Sequence, residues 1–232
     1  MANAVIVDAV RTAGGKRNGK LSGWHPTDLA AEVLKALQQR NDLDPGVVDD
    51  VIMGCVMQVG NQGLNIGRNA VLGAGWPETV PATTVDRQCG SSQQSVHFAA
   101  QGVIAGAYDV VVAAGVEVMS TTPMGASITP GSVPFGPSVL ERYAASGGLV
   151  PQGISAELIA DKWGLSREDL DAFGAESQRR AAVATEEGRF QNEIIPVKGK
   201  LWDREKTEVV DLDETVTRDE GIRPGTRPPW PL

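Results

Sequence analysis

Two cysteines and two histidines, Cys55, Cys89, His25 and His97, are the side chains here best suited to act as nucleophile, base or soft metal ligand. Cys89 stands in VDRQCGSSQQSVHFAAQG (residues 85–102), where a short β-branched run gives way to a helical one. A cysteine that ends a strand-to-helix turn lies beside the first orphan amides of the helix. Those amides and the helix dipole stabilise a thiolate and make it nucleophilic. Strand, reactive residue and helix in that order also leave a backbone N–H able to receive an oxyanion. Most free cysteines, however, are simply small buried residues, and the residues by themselves leave both readings open.

A nucleophile needs a base, and neither histidine is placed to be one. His97 lies eight residues beyond Cys89 on the same helix, about 12 Å along the axis, too far for a hydrogen bond to the sulfur; the expectation is a packed core histidine. His25 precedes the first helix and fits a surface or capping role. No G-x-S-x-G elbow, Walker loop or G-x-G-x-x-G occurs, which weakens serine hydrolase, NTPase and dehydrogenase readings. Without a CxxC pair, and with only two histidines, no metal site is expected. A disulfide framework is not expected either.

The elements that must position Cys89 read as an alternating series. Ala4 to Val10 (AVIVDAV) is an apolar, β-branched strand followed by a glycine-rich basic loop to Gly23. Pro26 to Gln39 is an amphipathic helix, with Leu29, Val33 and Leu37 at helical spacing. Val51 to Val56, with Cys55 inside it, Thr83 to Asp86 and Val110 to Ala113 are further strands, and Asn65 to Ala74 is a small-residue helix. Continuous apolar strands alternating with helices predict a parallel sheet covered on both faces. From Gly90 to Tyr108 there is no charge apart from a possible one on His97, so that helix should be sandwiched between layers.

After Met119 the character changes. Thr121 to Gly148 is rich in Pro, Gly, Ser and Thr and reads as an excursion out of the core. Ser166 with Asp169 forms a capping box for a helix that Gly188 ends. Glu193 to Lys198 and Thr207 to Leu212 predict a small strand pair. The closing GIRPGTRPPWPL offers no periodicity, and the chain is expected to stop inside an unfinished unit.

With 232 residues and 41% apolar composition the chain can bury a core. The formal charge of -8 argues against non-specific binding to nucleic acid or anionic membrane, both of which need a basic surface. No signal-peptide pattern opens the chain and no stretch is apolar enough to span a bilayer, so a cytoplasmic location is expected.

The segments VIVDAVRT, PTDLAAEVLKAL, DDVIMGCVMQVGNQGLNIGRNAVLGAGWP, VDRQCGSSQQSV, AGAYDVVVAAGVEVMS, SREDLDAFGAESQRRAAVATEEGRF and DEGIRPG occur in the order found in thiolases, which the chain resembles almost from end to end. The resemblance implies an α/β thiolase-like N-terminal half over residues 1–118, with a mostly parallel sheet and helices on both faces. An incomplete α+β loop domain over 119–232 would follow. It implies that Cys89 accepts an acyl group from a CoA thioester as a thioester of its own, in ping-pong acyl transfer within fatty-acid or related acyl-CoA metabolism. Arg223, in DEGIRPG, matches a position that contacts the adenine of coenzyme A, the alternative being an ordinary loop arginine. Coenzyme A would be a substrate and not a permanently bound cofactor.

The chain departs from the family in places. Pro151-Gln152-Gly153 stands where many thiolases have His-Met-Gly, Ala114-Gly115 where Gly-Gly is common, and Ala13 where proline is frequent. The GHP-type histidine, the CxGG-type cysteine and the NEAF-type asparagine of the second thiolase half are absent from this sequence. The expected partners are therefore an acyl-CoA substrate and either a homo-oligomer or a complementary C-terminal thiolase half, because the uncharged helix would otherwise leave apolar surface exposed. Three functions compete: thiolase acyl transfer, an inactive fragment that binds CoA or pairs with subunits, and a ketoacyl-synthase-like condensing enzyme, which fits these motifs less well.

Overall fold

A computed structural model describes residues 3–223 together with 225 and 226. Most of the proline-rich tail from Pro224 on lies outside the described residues. The described residues fold as two compact units, 3–127 with 190–221, and 128–189 with 222, 223, 225 and 226.

In the first unit a three-stranded parallel sheet has the order β2–β1–β3, formed by β1 (Asp50–Gly54), β2 (Ala82–Val85) and β3 (Val111–Gly115). Parallel strands need crossovers, and helices supply them. α1 (Pro26–Asn41) precedes the sheet, α2 (Ile66–Gly73) joins β1 to β2, and α3 (Ser91–Ala105) joins β2 to β3. Neighbouring residues of a strand point to opposite faces, and β1 uses this directly. A Cβ placed on Gly67 of α2 would come within 2.9 Å of Met53 Cβ, whereas one placed on Gly54 would meet the backbone of α3. Helices thus cover both faces, as expected. Leu34 of α1, Val51 and Met53 of β1, Ile66 and Val71 of α2, and Trp76 form the main core, each almost fully buried.

The local signals that predict the helices are present as contacts. Pro26 occupies the first turn of α1, and His25 caps that helix, its Nδ1 accepting from the Thr27 amide at 3.3 Å. Asn65 caps α2 by accepting from the Arg68 amide.

Three expectations are corrected. Residues 4–10 form no strand: Val5, Ile6 and Val7 are 77%, 82% and 83% exposed, and no ladder pairs them among the described residues. An apolar β-branched run becomes a strand only where a neighbour accepts its hydrogen bonds. Here Asp8 is tied instead by Arg40 and Asn41 of α1, and pairing begins only at Arg11, whose amide donates to Glu193 O at 2.8 Å. The strand pair β4 (Val197–Asp203) and β5 (Glu208–Val216) forms as an antiparallel hairpin but belongs to the first unit, not to a single block running from 119 to the end. Its Val197 and Val216 share a second core with Trp24 and Leu29, and Trp24 Nε1 donates to Lys198 O at 2.8 Å. Finally, α3 is covered on one side only, with Val96, His97, Phe98 and Ile104 exposed.

The second unit contains α4 (Pro137–Ala144), α5 (Gln152–Trp163) and α6 (Arg167–Glu186). The Ser166–Asp169 capping box opens α6 as predicted, while the sequence pattern marks neither α4 nor α5. Ala160 and Ala184 are the only buried apolar residues among those described in this unit, and Ile154, Leu158, Trp163 and Phe173 are exposed. No helix among the described residues is long and apolar enough to cross a membrane.

The basic loop after Val10 folds around three carboxylates, Asp219, Glu193 and Glu220. Arg11 grips Asp219 with both terminal nitrogens, at 2.7 and 3.0 Å, and donates through Nε to Glu193 at 2.7 Å. The Gly14 amide donates to Asp219, and the amides of Lys16 and Lys20 to Glu220. The Arg11 hydrogen bonds, helped by the Gly14 amide, hold the Asp219 carboxyl below its ordinary value of 3.8. A carboxyl whose value falls on folding stabilises the fold fully above its unfolded value, and that stabilisation disappears as pH falls through the folded one. Asp219→Asn should therefore cost about 1–2 kcal/mol at neutral pH, a size limited by the partly exposed Arg11. Urea unfolding should find this difference at neutral pH and find it mostly gone well below pH 3.8.

Candidate active site

β2 ends at Val85 and α3 begins at Ser91, leaving five residues to reverse the chain. Asp86 starts the turn by accepting from the Gln88 amide at 2.7 Å, a side-chain mimic of a backbone turn. Gln88 has φ of +46°, in the left-handed region that disfavours a residue with a Cβ. Ser91 Oγ closes the turn, accepting from the Arg87 amide at 2.9 Å and donating to Gln88 O at 2.6 Å. Cys89 follows the strained residue and immediately precedes Gly90, the N-cap of α3.

Cys89 is exposed. Gly90 has no side chain with which to cap α3, and the amides of Ser92 and Gln93 have no hydrogen-bond partner among the described residues. An uncapped helix start keeps its partial positive charge available to an anion. The arrangement can therefore hold negative charge that develops next to position 89.

Cys55 has the opposite environment. It lies one residue past β1 with 1% exposure. Its Sγ is 3.6 Å from Glu117 Oε1 and 3.5 Å from Gln62 Nε2. Glu117 also accepts from the amides of Val56 and Met57 and from Gln62 Nε2, while Gln62 Oε1 accepts from the Val118 amide. Burial first, and then the Glu117 charge, push the Cys55 thiol up to about 12. It is a hydrogen-bonded core thiol, not a second nucleophile. Sequence reasoning misses this polar knot: GNQG and GVEV are far apart in the chain and neither carries a local signal of the pairing.

His97 is exposed on α3 and not packed in a core, because its side of the helix has no cover among the described residues. His25 is occupied as the α1 cap. Arg223 lies in the second unit, its amide donating to Gln178 Oε1 at 2.7 Å. With Thr226 it borders a concavity of about 220 Å³ along α6, lined by Leu170, Gly174, Ala175 and Gln178. Cys89 and Arg223 thus belong to different units, each with its own setting.

The first unit is thus an α/β frame that presents an exposed cysteine at the entry to an uncapped helix. Residues 4–227 match the thiolase N-terminal domain, and the chain belongs to the thiolase family. It is 47% identical to the steroid 3-ketoacyl-CoA thiolase FadA6 of Mycobacterium tuberculosis, over 85% of this chain and 50% of that protein. It is 41% identical to a 3-ketoacyl-CoA thiolase of Psychrobacter arcticus, over 97% of this chain and 58% of the relative. A 3-ketoacyl-CoA thiolase of Acinetobacter baumannii is 42% identical, over 95% and 55%. The chain spans about half the length of the curated relatives it matches.

The two cysteines should separate cleanly by reactivity. Native protein treated with iodoacetamide at mildly alkaline pH should carry one carboxamidomethyl group, on Cys89, and gain the second on Cys55 only after denaturation. Peptide mass spectrometry reads both; modification of Cys55 in the folded state would contradict the buried-thiol assignment.

Proposed function

We propose that this chain is the acyl-accepting part of a thiolase. The Cys89 thiolate attacks the carbonyl carbon of an acyl-CoA, or the keto carbonyl of a 3-ketoacyl-CoA. In the first case the C–S bond breaks and CoA leaves as its thiolate. In the second the C2–C3 bond breaks and acetyl-CoA leaves as a carbanion that takes up a proton. Either way the acyl group stays on sulfur as a thioester until a second thiol or a carbon nucleophile removes it. The observation that carries this reading is the exposed Cys89 at the uncapped start of α3. Unpaired amides at that helix start suit the oxyanion of the tetrahedral intermediate. The relatives named 3-ketoacyl-CoA thiolase support 3-ketoacyl-CoA as the substrate class and acyl-CoA metabolism as the setting.

The proton must go elsewhere. His25 is engaged as a helix cap and His97 is two helical turns along α3. The base comes from a complementary C-terminal thiolase half, carried on a longer chain or on a separate polypeptide. Arg223 contacts the adenine of coenzyme A from the α6 concavity, where a planar guanidinium can stack on a base. The protein works in the cytoplasm and as a homo-oligomer or in partnership with that second half. The exposed apolar residues Val96, Phe98 and Ile104 on α3 favour such pairing. They also support a second reading, a catalytically inert module that only binds CoA or pairs with subunits.

Incubation with acetyl-CoA labelled in the acetyl group decides between them. Acyl transfer predicts one label on Cys89, released by hydroxylamine and lost in Cys89→Ser, with thiolysis of a 3-ketoacyl-CoA appearing on addition of a C-terminal thiolase half. No label after long incubation, with or without that half, would leave only the inert module.

A further inference from the structure

Two glycines at strand ends lie against the first turn of the helix that follows Cys89. A Cβ added at Gly54, the last residue of β1, would lie 2.4 Å from the Ser92 nitrogen and 2.6 Å from the Ser91 carbonyl carbon. A Cβ at Gly115, the last residue of β3, would lie 1.8 Å from Ser92 Oγ and 2.8 Å from Ser92 Cβ. Real Cβ atoms essentially never come under 3.0 Å of another heavy atom. Rotation of the Ser92 hydroxyl would relieve the first Gly115 contact. It cannot relieve the second, because Cβ moves only with the backbone. Gly54 and Gly115 are register partners on adjacent strands, so together they form a bare ledge on which the first turn of α3 rests.

The far end of α3 is fixed to the same strand. A Cβ at Gly102 would meet the Tyr108 ring at 2.3 Å, and Tyr108 Oη donates to Asp50 Oδ2 at 2.9 Å, at the opposite end of β1. With its far end held, α3 can respond to a bulkier ledge only by lifting its first turn. Cys89 is three residues from Ser92 and would move with it.

We propose that Gly54 and Gly115 are positioning residues for the nucleophile: the absence of side chains at these two strand ends sets the depth of the α3 start and, through it, where Cys89 meets its acyl donor. This deepens the acyl-transfer reading of Cys89 and rests on it for its biological meaning. Neither glycine touches the reacting atoms. A side chain at either one displaces the helix start, and the favourable field of that start falls off within the first turn.

The test is a double-mutant cycle between Gly115→Ala and Ser92→Gly, read as the rate of Cys89 alkylation by iodoacetamide, which needs no coenzyme A. In the wild-type background Gly115→Ala should slow Cys89 alkylation about fivefold, the scale of losing a helix-start interaction. In the Ser92→Gly background, where the opposing Cβ is gone, the same change should alter the rate by less than about twofold. Cys55 should stay unlabelled in every folded variant, which separates a displaced helix start from general loosening. If Gly115→Ala alone does not fold, Ser92→Gly/Gly115→Ala should fold and alkylate at the rate of Ser92→Gly. Equal slowing in both backgrounds, no slowing in a folded Gly115→Ala protein, or a double variant that fails to fold would each overturn the proposal. Failure of acetyl-CoA to label Cys89 would remove the acyl-transfer reading while leaving the alkylation rates, and what they say about positioning, unchanged.

Discussion

The parallel ladder on both edges of β1 fixes nearly everything that bears on Cys89. Asp50–Gly54 bonds to Ala82–Val85 on one side and to Val111–Gly115 on the other. Because successive residues face opposite ways, this one short strand offers Met53 to α2 and Gly54 to α3. The next residue, Cys55, enters the polar knot with Glu117 and Gln62, which ties the loops leaving β1 and β3 to each other. Moving β1 by one register step would exchange the two faces and set a methionine side chain against the start of α3, where the structure leaves room for no side chain at all.

What can be read from the sequence is what local chemistry determines. Pro26, Ser166 and Asp169 announce helix starts because a cap acts within four residues of itself, and all three occupy the positions their types suggest. The change from TTV to an uncharged helical run around Cys89 is legible for the same reason. The exposed segment 4–10 is misread because its composition describes a strand while pairing depends on a partner elsewhere in space. α5 escapes notice because its apolar residues, Ile154, Leu158, Ile159 and Trp163, are not gathered into one stripe. The β4–β5 hairpin is legible as an element, but its place beside α1 is set by Val197, Val216 and Trp24, residues brought together from opposite ends of the chain.

The site divides along the same line. Cys89 is found from its neighbours in sequence, and Arg223 only from family resemblance. Gly54 and Gly115 look ordinary at the ends of VIMG and VVAAG, since nothing in either string says that a helix start will press against them. An uncharged helix implies cover and so places His97 in a core; its exposure reflects cover on one side only.

One residue type in one small unit thus meets two environments. Cys55 is removed from water and set beside a carboxylate, and both of these influences oppose its ionisation. Cys89 is exposed, free of acidic hydrogen-bond partners among the described residues, and adjacent to unpaired amides. The difference owes little to the turn's own residues, whose φ at Gln88 is a local cost. It comes from where the sheet lets α3 begin. A methyl group at either strand end would meet the first turn of α3, where the structure leaves no room for one.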